Sequence, residues 1–187
     1  MKVFIVYLHL LTVCIAVGSL LLQDFELMLK RGETLLANEI THLQKTAKVM
    51  VYALFVLWVT GVSLVVLGYL ENPDTYLANQ KIWAKFSVVF VLTINGIFLH
   101  YYSFPRITSR SGMFGLSWNE QVMVGLTGII STVSWLFAAY LGIARHWNNS
   151  VHYSFIMTIY LLFIAVGFIF LCEFLYLFGQ RVRNFRK

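Results

Sequence analysis

The sequence predicts an all-α integral membrane protein: a single domain, residues 1–187, of five transmembrane helices with the N-terminus outside and the C-terminus cytoplasmic. Three observations carry that prediction. Charged residues make up only 12% of the chain and apolar ones 59%, with 17% aromatic, where a soluble domain carries about 25% charge. Apolar stretches recur five times, at 3–23, 47–70, 82–104, 120–144 and 151–178. Each reaches the ~20 residues that a helix needs to cross ~30 Å of hydrocarbon, and none alternates with the period of two that a barrel strand requires. The connecting loops are too short for a soluble catalytic domain. Function is therefore sought inside the bilayer or at its faces.

The third observation is the loop charge. The net charge of +6 reads as topology and not as nucleic-acid affinity, because the basic residues cluster at helix ends. A cytoplasmic C-terminus puts Lys30, Arg31, Lys45, Lys48, Arg106, Arg110, Arg181, Arg183, Arg186 and Lys187 on one side. These ten of the fourteen basic residues stand against Lys2, Lys81, Lys85 and Arg145. That asymmetry sets the orientation.

Span 1 carries a seam of small and polar residues, His9, Thr12, Ala16, Ser19 and Gln23, at offsets 0, 3, 7, 10 and 14. Glu26 and Lys30 continue it to Gly32, a C-cap candidate. Ala16-Val17-Gly18 resembles a cleavage site, but the apolar core around it is too long for a signal peptide and carries His9. Glu33–Lys48 has helical leucine spacing and no breaker, so it is expected to run straight into span 2. Span 2 carries Gly61 and Gly68 on one close-approach face and stops at Glu71-Asn72-Pro73-Asp74.

Span 3 holds the residues that most need explaining. Lys85, Val89, Leu92, Thr93, Gly96 and His100 fall within about a third of its circumference. A cationic and titratable stripe on a membrane helix has to face protein, water or a cofactor. Pro105–Ser117 is a basic loop, and Trp118 marks the next interface. Span 4 has an unbroken small stripe, Thr127, Ser131, Ser134, Ala138 and Gly142, suited to the bundle centre or to a homo- or hetero-oligomer contact. After the short outer loop Arg145–Asn149, span 5 is bulky and aromatic and suits the lipid bilayer, except at Glu173. Cys14 and Cys172 read as packing residues.

Depth sorts the polar groups. His9, Trp83, Lys85, His146 and His152 lie on the outer side; His42, His100, Arg106 and Glu173 lie on the inner side. His9 and His100 are about a leaflet apart and cannot share a site. Lys85 either snorkels to the outer headgroups or pairs with an anion such as a porphyrin propionate. His9 either makes an interhelical hydrogen bond or serves as the axial ligand of a haem. His146 or His152 would fill the second axial position. On the inner side, Glu173 is expected to pair with His100 or Arg106. The six methionines are scattered, which gives little support to soft-metal transport.

Tyr7-Leu8-His9-Leu10, and Tyr76-Leu77-Ala78-Asn79 followed by Trp83-Ala84-Lys85, carry a resemblance over roughly the first 105 residues. The chain resembles small bacterial membrane proteins that look related to the HemJ-type haem-dependent protoporphyrinogen oxidases and to CopD-type copper-resistance proteins. The resemblance implies a multi-pass protein of the bacterial inner membrane, oxidoreductase chemistry, His9 as ligand to haem b, and a functional Lys85. Three readings stand: a haem b protein handling electrons or a porphyrin, a cofactor-free subunit of a larger membrane complex, and a transporter of a metal or small solute.

Overall fold

The computed structural model describes residues 1–29, 35–108 and 115–185, with side chains through 177. The described residues form helices and connecting turns, with no strand among them. Five helical stretches are long and apolar enough to cross a membrane. They are α1 (Lys2–Leu29), α2 (Ala37–Glu71), the run Gln80–Ile107, α6 (Trp118–Ile143) and α7 (Tyr153–Phe185). The third runs as α4 (Gln80–Phe98), a five-residue π turn (Leu99–Ser103) and a last turn α5 (Phe104–Ile107). The short α3 (Pro73–Tyr76) lies between spans 2 and 3.

Helix ends follow local chemistry. The Leu36 amide donates to Glu39 Oε2 (3.0 Å) ahead of α2. Asn72 and Pro73 stop that helix at the expected place, with proline at the first position of α3 where its missing N–H costs nothing. Before α6, the Ser117 amide and hydroxyl both donate to Glu120 Oε2, at 3.1 and 2.8 Å. The expected extension of span 2 is present from Ala37 onward. Gly32, its neighbours Lys30 and Arg31, and Arg110 lie outside the described residues. Spans 1 and 5 are longer than the apolar runs that predicted them, because helix continues past hydrocarbon into polar sequence.

Packing centres on α6. One core joins Ala84, Val88, Phe137, Leu141, Ile156 and Tyr160 from α4, α6 and α7. A second joins Ala16, Leu20, Ala53, Leu92 and Trp135 from α1, α2, α4 and α6. Most of the small stripe of span 4 lies within the bundle: Thr127, Ser131 and Ser134 are buried, while Gly142 at its end is exposed. Ala138 packs on the first core. The hydroxyls of Ser134 and Tyr160 meet at 2.8 Å. Helices α6 and α7 interlock through reciprocal glycines, since a Cβ on Gly125 would lie 2.5 Å from Leu171 and one on Gly167 2.7 Å from Ile129. The outward faces of α1 and α7 expose large apolar side chains, Phe4, Leu22, Leu162 and Phe170 among them, as lipid contact requires. Cys14 is exposed on such a face, and both cysteines are free.

Two ends of the bundle are defined by cross-ties. Lys2 is ion-paired with Glu71 at one end. At the other, His42 Nδ1 stands 3.6 Å from Glu26 Oε2 and the Arg106 Nε donates to Glu120 Oε1 (3.2 Å).

Candidate functional site

The candidate site is a cavity of about 420 Å³ in the Lys2–Glu71 half of the bundle, enclosed by α1, α2, α4 and α6. Its size falls in the range of roughly 300–1,000 Å³ typical of small-molecule sites. The predicted stripe of span 3 supplies one wall through Lys85, Val89 and Leu92; span 1 supplies His9. Aromatic surface comes from Trp58, Phe86 and Trp135. Trp58 is fixed by its indole N–H, which donates to Thr93 Oγ1 (3.0 Å), so the stripe's threonine orients a wall of the pocket.

Hydrogen bonding fixes the state of His9. Its Nδ1 lies 2.7 Å from Thr60 Oγ1, and the Thr60 hydroxyl also lies 2.7 Å from the Val56 carbonyl oxygen. A hydroxyl has one hydrogen to give. Both contacts are hydrogen bonds at once only when Thr60 donates to Val56 and accepts from His9 Nδ1–H. The lone pair of the imidazole then sits on Nε2. A partner on one ring nitrogen that fixes the tautomer is the arrangement found behind metal-bound histidines. Gly61, one residue beyond Thr60, lies beside the ring: a Cβ there would stand 3.8 Å from His9 Cε1, an ordinary contact.

Lys85 lines the same pocket, and no described side chain or carbonyl accepts from its ammonium. The cavity thus presents an imidazole lone pair and an uncompensated cation between aromatic walls. That combination suits an anionic, largely apolar organic molecule. Tyr76 lines the Lys2–Glu71 end of the pocket, its ring so close to Gly68 that a Cβ there would stand 2.2 Å away. Tyr76 lies outside the spans, and burial pushes its phenol above the ordinary value, with Lys2 opposing and Glu71 reinforcing the shift.

The other predicted residues are distributed differently. His146 sits in a 3₁₀ turn with its ring edge-on to Trp147 (5.9 Å), and His152 lines a shallow hollow with Asp74 and Gln80. Neither lines the His9 pocket, so the expected second axial histidine is not supplied there. His100 lies in the π turn at the far end, in keeping with its exclusion from the His9 site. The expected inner ion cluster does not form. Arg106 pairs with Glu120, donates to the Tyr102 carbonyl (2.9 Å) and stacks 3.6 Å over the Tyr102 ring, while Glu173 is exposed on α7. Glu120, in the first turn of α6, is the carboxylate that Arg106 meets.

Sequence reasoning missed two groups. Lys81, counted as a loop charge, is 3% exposed and donates to the Ala144 carbonyl (2.6 Å) and Asn148 Oδ1 (3.0 Å). The signal was local: Asn79 precedes it as a helix cap, its Oδ1 accepting from the Lys81 amide (3.1 Å). Asp24, one residue past the predicted end of span 1, accepts from the Thr132 hydroxyl on α6 (2.7 Å). Beside it lies a second cavity, of about 130 Å³, in the other half of the bundle.

No family model matches this chain, and no curated protein or solved structure matches it. Among the described residues, no three His, Cys, Asp or Glu side chains converge as a metal site.

Proposed function

We propose that this chain is a multi-pass protein of a bacterial inner membrane, N-terminus out and C-terminus in, that binds haem b or a related porphyrin in the His9–Lys85 pocket. The observation that carries the reading is the pinned imidazole: Thr60 holds Nδ1–H and leaves the Nε2 lone pair on a residue that lines the cavity. A porphyrin brings its own four nitrogens, so one histidine suffices where a bare metal ion would need several protein ligands. Haem, when bound, would supply one-electron chemistry at iron. His9 would hold the iron, Lys85 would neutralise a carboxylate of the macrocycle, and Trp58, Phe86 and Trp135 would exclude water from its faces.

The test is the absorption spectrum of the purified protein in detergent, from cells grown with ample haem. The expected result is a Soret band in wild type and in His100→Ala, lost or strongly shifted in His9→Ala. A band that survives His9→Ala and disappears in His100→Ala would move the site to the other half of the bundle. No band in wild type would end the haem reading and favour the cofactor-free subunit. In that case the contact surface would be sought away from Thr127, Ser131 and Ser134, which this chain buries itself. Transport of a metal ion ranks below both, since no multi-ligand cluster is formed by the described residues.

A further inference from the structure

Three cavities are strung in series through the bundle, and each shares wall residues with the next. A surface hollow of about 320 Å³ between α1 and α2 carries Glu26, Glu39 and His42. It meets the inner chamber of about 130 Å³ at Gln23, Leu27 and Leu43. That chamber meets the His9 pocket at Leu54, Leu92 and Trp135, a septum whose one side-chain polar group is the Trp135 indole N–H and in which Leu92 and Trp135 are buried. The necks differ in kind. One contains a carboxamide, which both donates to and accepts from water; the other contains a lone donor with no acceptor beside it.

The chamber's acid is Asp24. Among the described residues its one hydrogen-bond partner is the Thr132 hydroxyl, and none of the described groups around it is a lysine or arginine: α2 contributes Leu43, Ala47 and Met50, α6 contributes Thr132, and the third span contributes His100. An ionised carboxylate in hydrocarbon without a cation is unstable and takes a proton instead. Thr132 is built for both forms. Its hydroxyl lies 2.7 Å from Asp24 Oδ2 and 3.1 Å from the Gly128 carbonyl oxygen. With Asp24 ionised, Thr132 donates to Oδ2. With Asp24 protonated, the carboxyl O–H donates to Thr132 Oγ1 and the threonine hydrogen turns to Gly128. One proton is gained and no hydrogen bond is lost.

We propose that Asp24 is a proton-exchange site, loaded from the face bearing Glu26 and His42 through the hollow and chamber, and separated from the His9 pocket by the Trp135 septum. The proposal is independent of haem. Two measurements test it on the full chain. In the first, infrared spectra are taken across a pH series. Wild type should show the carbonyl band of a protonated carboxyl that declines as pH rises. Asp24→Asn should lack it, and Glu26→Gln should keep it. In the second, cysteines are placed on α6 in a background with Cys14→Ser and Cys172→Ser. Gly128 lines the chamber and Gly142 the pocket, and both have open space for a side chain. A charged, membrane-impermeant thiol reagent should label Gly128→Cys only from the Glu26–His42 face. Trp135→Ala should make that cysteine reactive from both faces. Absence of the Asp24 band, a band indifferent to pH, or Gly128→Cys that is inert from the Glu26–His42 face or labelled equally from both in the Trp135 background would each overturn the proposal.

Discussion

Lys81 and Lys85 stand one turn apart on the same helix, yet they have opposite roles in the bundle. Lys81 is closed off from solvent and fully used: its ammonium caps the carbonyl end of α6 at Ala144 and reaches Asn148. A cation at that end also complements the helix dipole. Its neighbours Asn79 and Gln80 tie the same loop, Asn79 Oδ1 accepting from the Asn149 amide and Gln80 Oε1 from the Tyr153 amide. Lys85 lines a cavity, and no described group accepts from its ammonium. The first lysine is architecture; under the proposed function, the second is held for a bound anion. The difference teaches that a charge within a span becomes informative only once its acceptors are counted.

Three substitutions would break or sharpen that contrast. Lys81→Met keeps the length but strands the Ala144 carbonyl and Asn148. It should cost about 2–3 kcal/mol, read as a lower detergent-unfolding midpoint. Lys85→Met should leave the midpoint within about 1 kcal/mol of wild type or raise it, because it removes an ammonium that has no partner. If the anionic ligand is present, the same variant should weaken its retention about ten- to a hundred-fold, the value of one charge-assisted hydrogen bond. Equal destabilisation by both methionine variants would show that Lys85 has a structural role. The smallest effect belongs to Asn148→Ala, which leaves Lys81 its carbonyl partner and should cost about 1 kcal/mol in the same unfolding assay.

Five apolar helices were legible because length and composition alone specify them. So was the meeting of His9 with Lys85, since depth is counted at a fixed rise per residue. Of the glycine pair expected on a close-approach face of span 2, Gly68 meets Tyr76 closely, whereas Gly61 stands at ordinary contact distance from His9. Partners across the bundle were not legible. Arg106 finds Glu120 rather than Glu173 because helix rotation, which no charge count contains, turns Glu173 outward. His146 and His152 were placed on the same side as His9, but they sit in and beside the loop between α6 and α7 and do not line its pocket. Asp24 lies on a stretch expected to be helical as far as Gly32, but its meeting with Thr132 on α6 depends on helix rotation, which the sequence of span 1 does not contain.

The π turn at Leu99–Ser103 bears on how the gene can change. Asn95, one turn before it, and Ser103, its last residue, stand eight residues apart and both bond Thr127: the Asn95 amide donates to its carbonyl oxygen (2.9 Å) and Ser103 meets its hydroxyl (2.7 Å). In an unbroken α-helix, eight residues overshoot two turns by about 80°. The wide turn absorbs that excess. Losing a single codon there and returning to regular winding would leave seven residues turning through about 700°, within about 20° of the same two turns. Phe104 would keep its place in the core and Arg106 its reach to Glu120. An in-frame deletion scan of the third span should therefore be tolerated best at these five codons, whereas a deletion elsewhere in the span turns everything beyond it by about 100°.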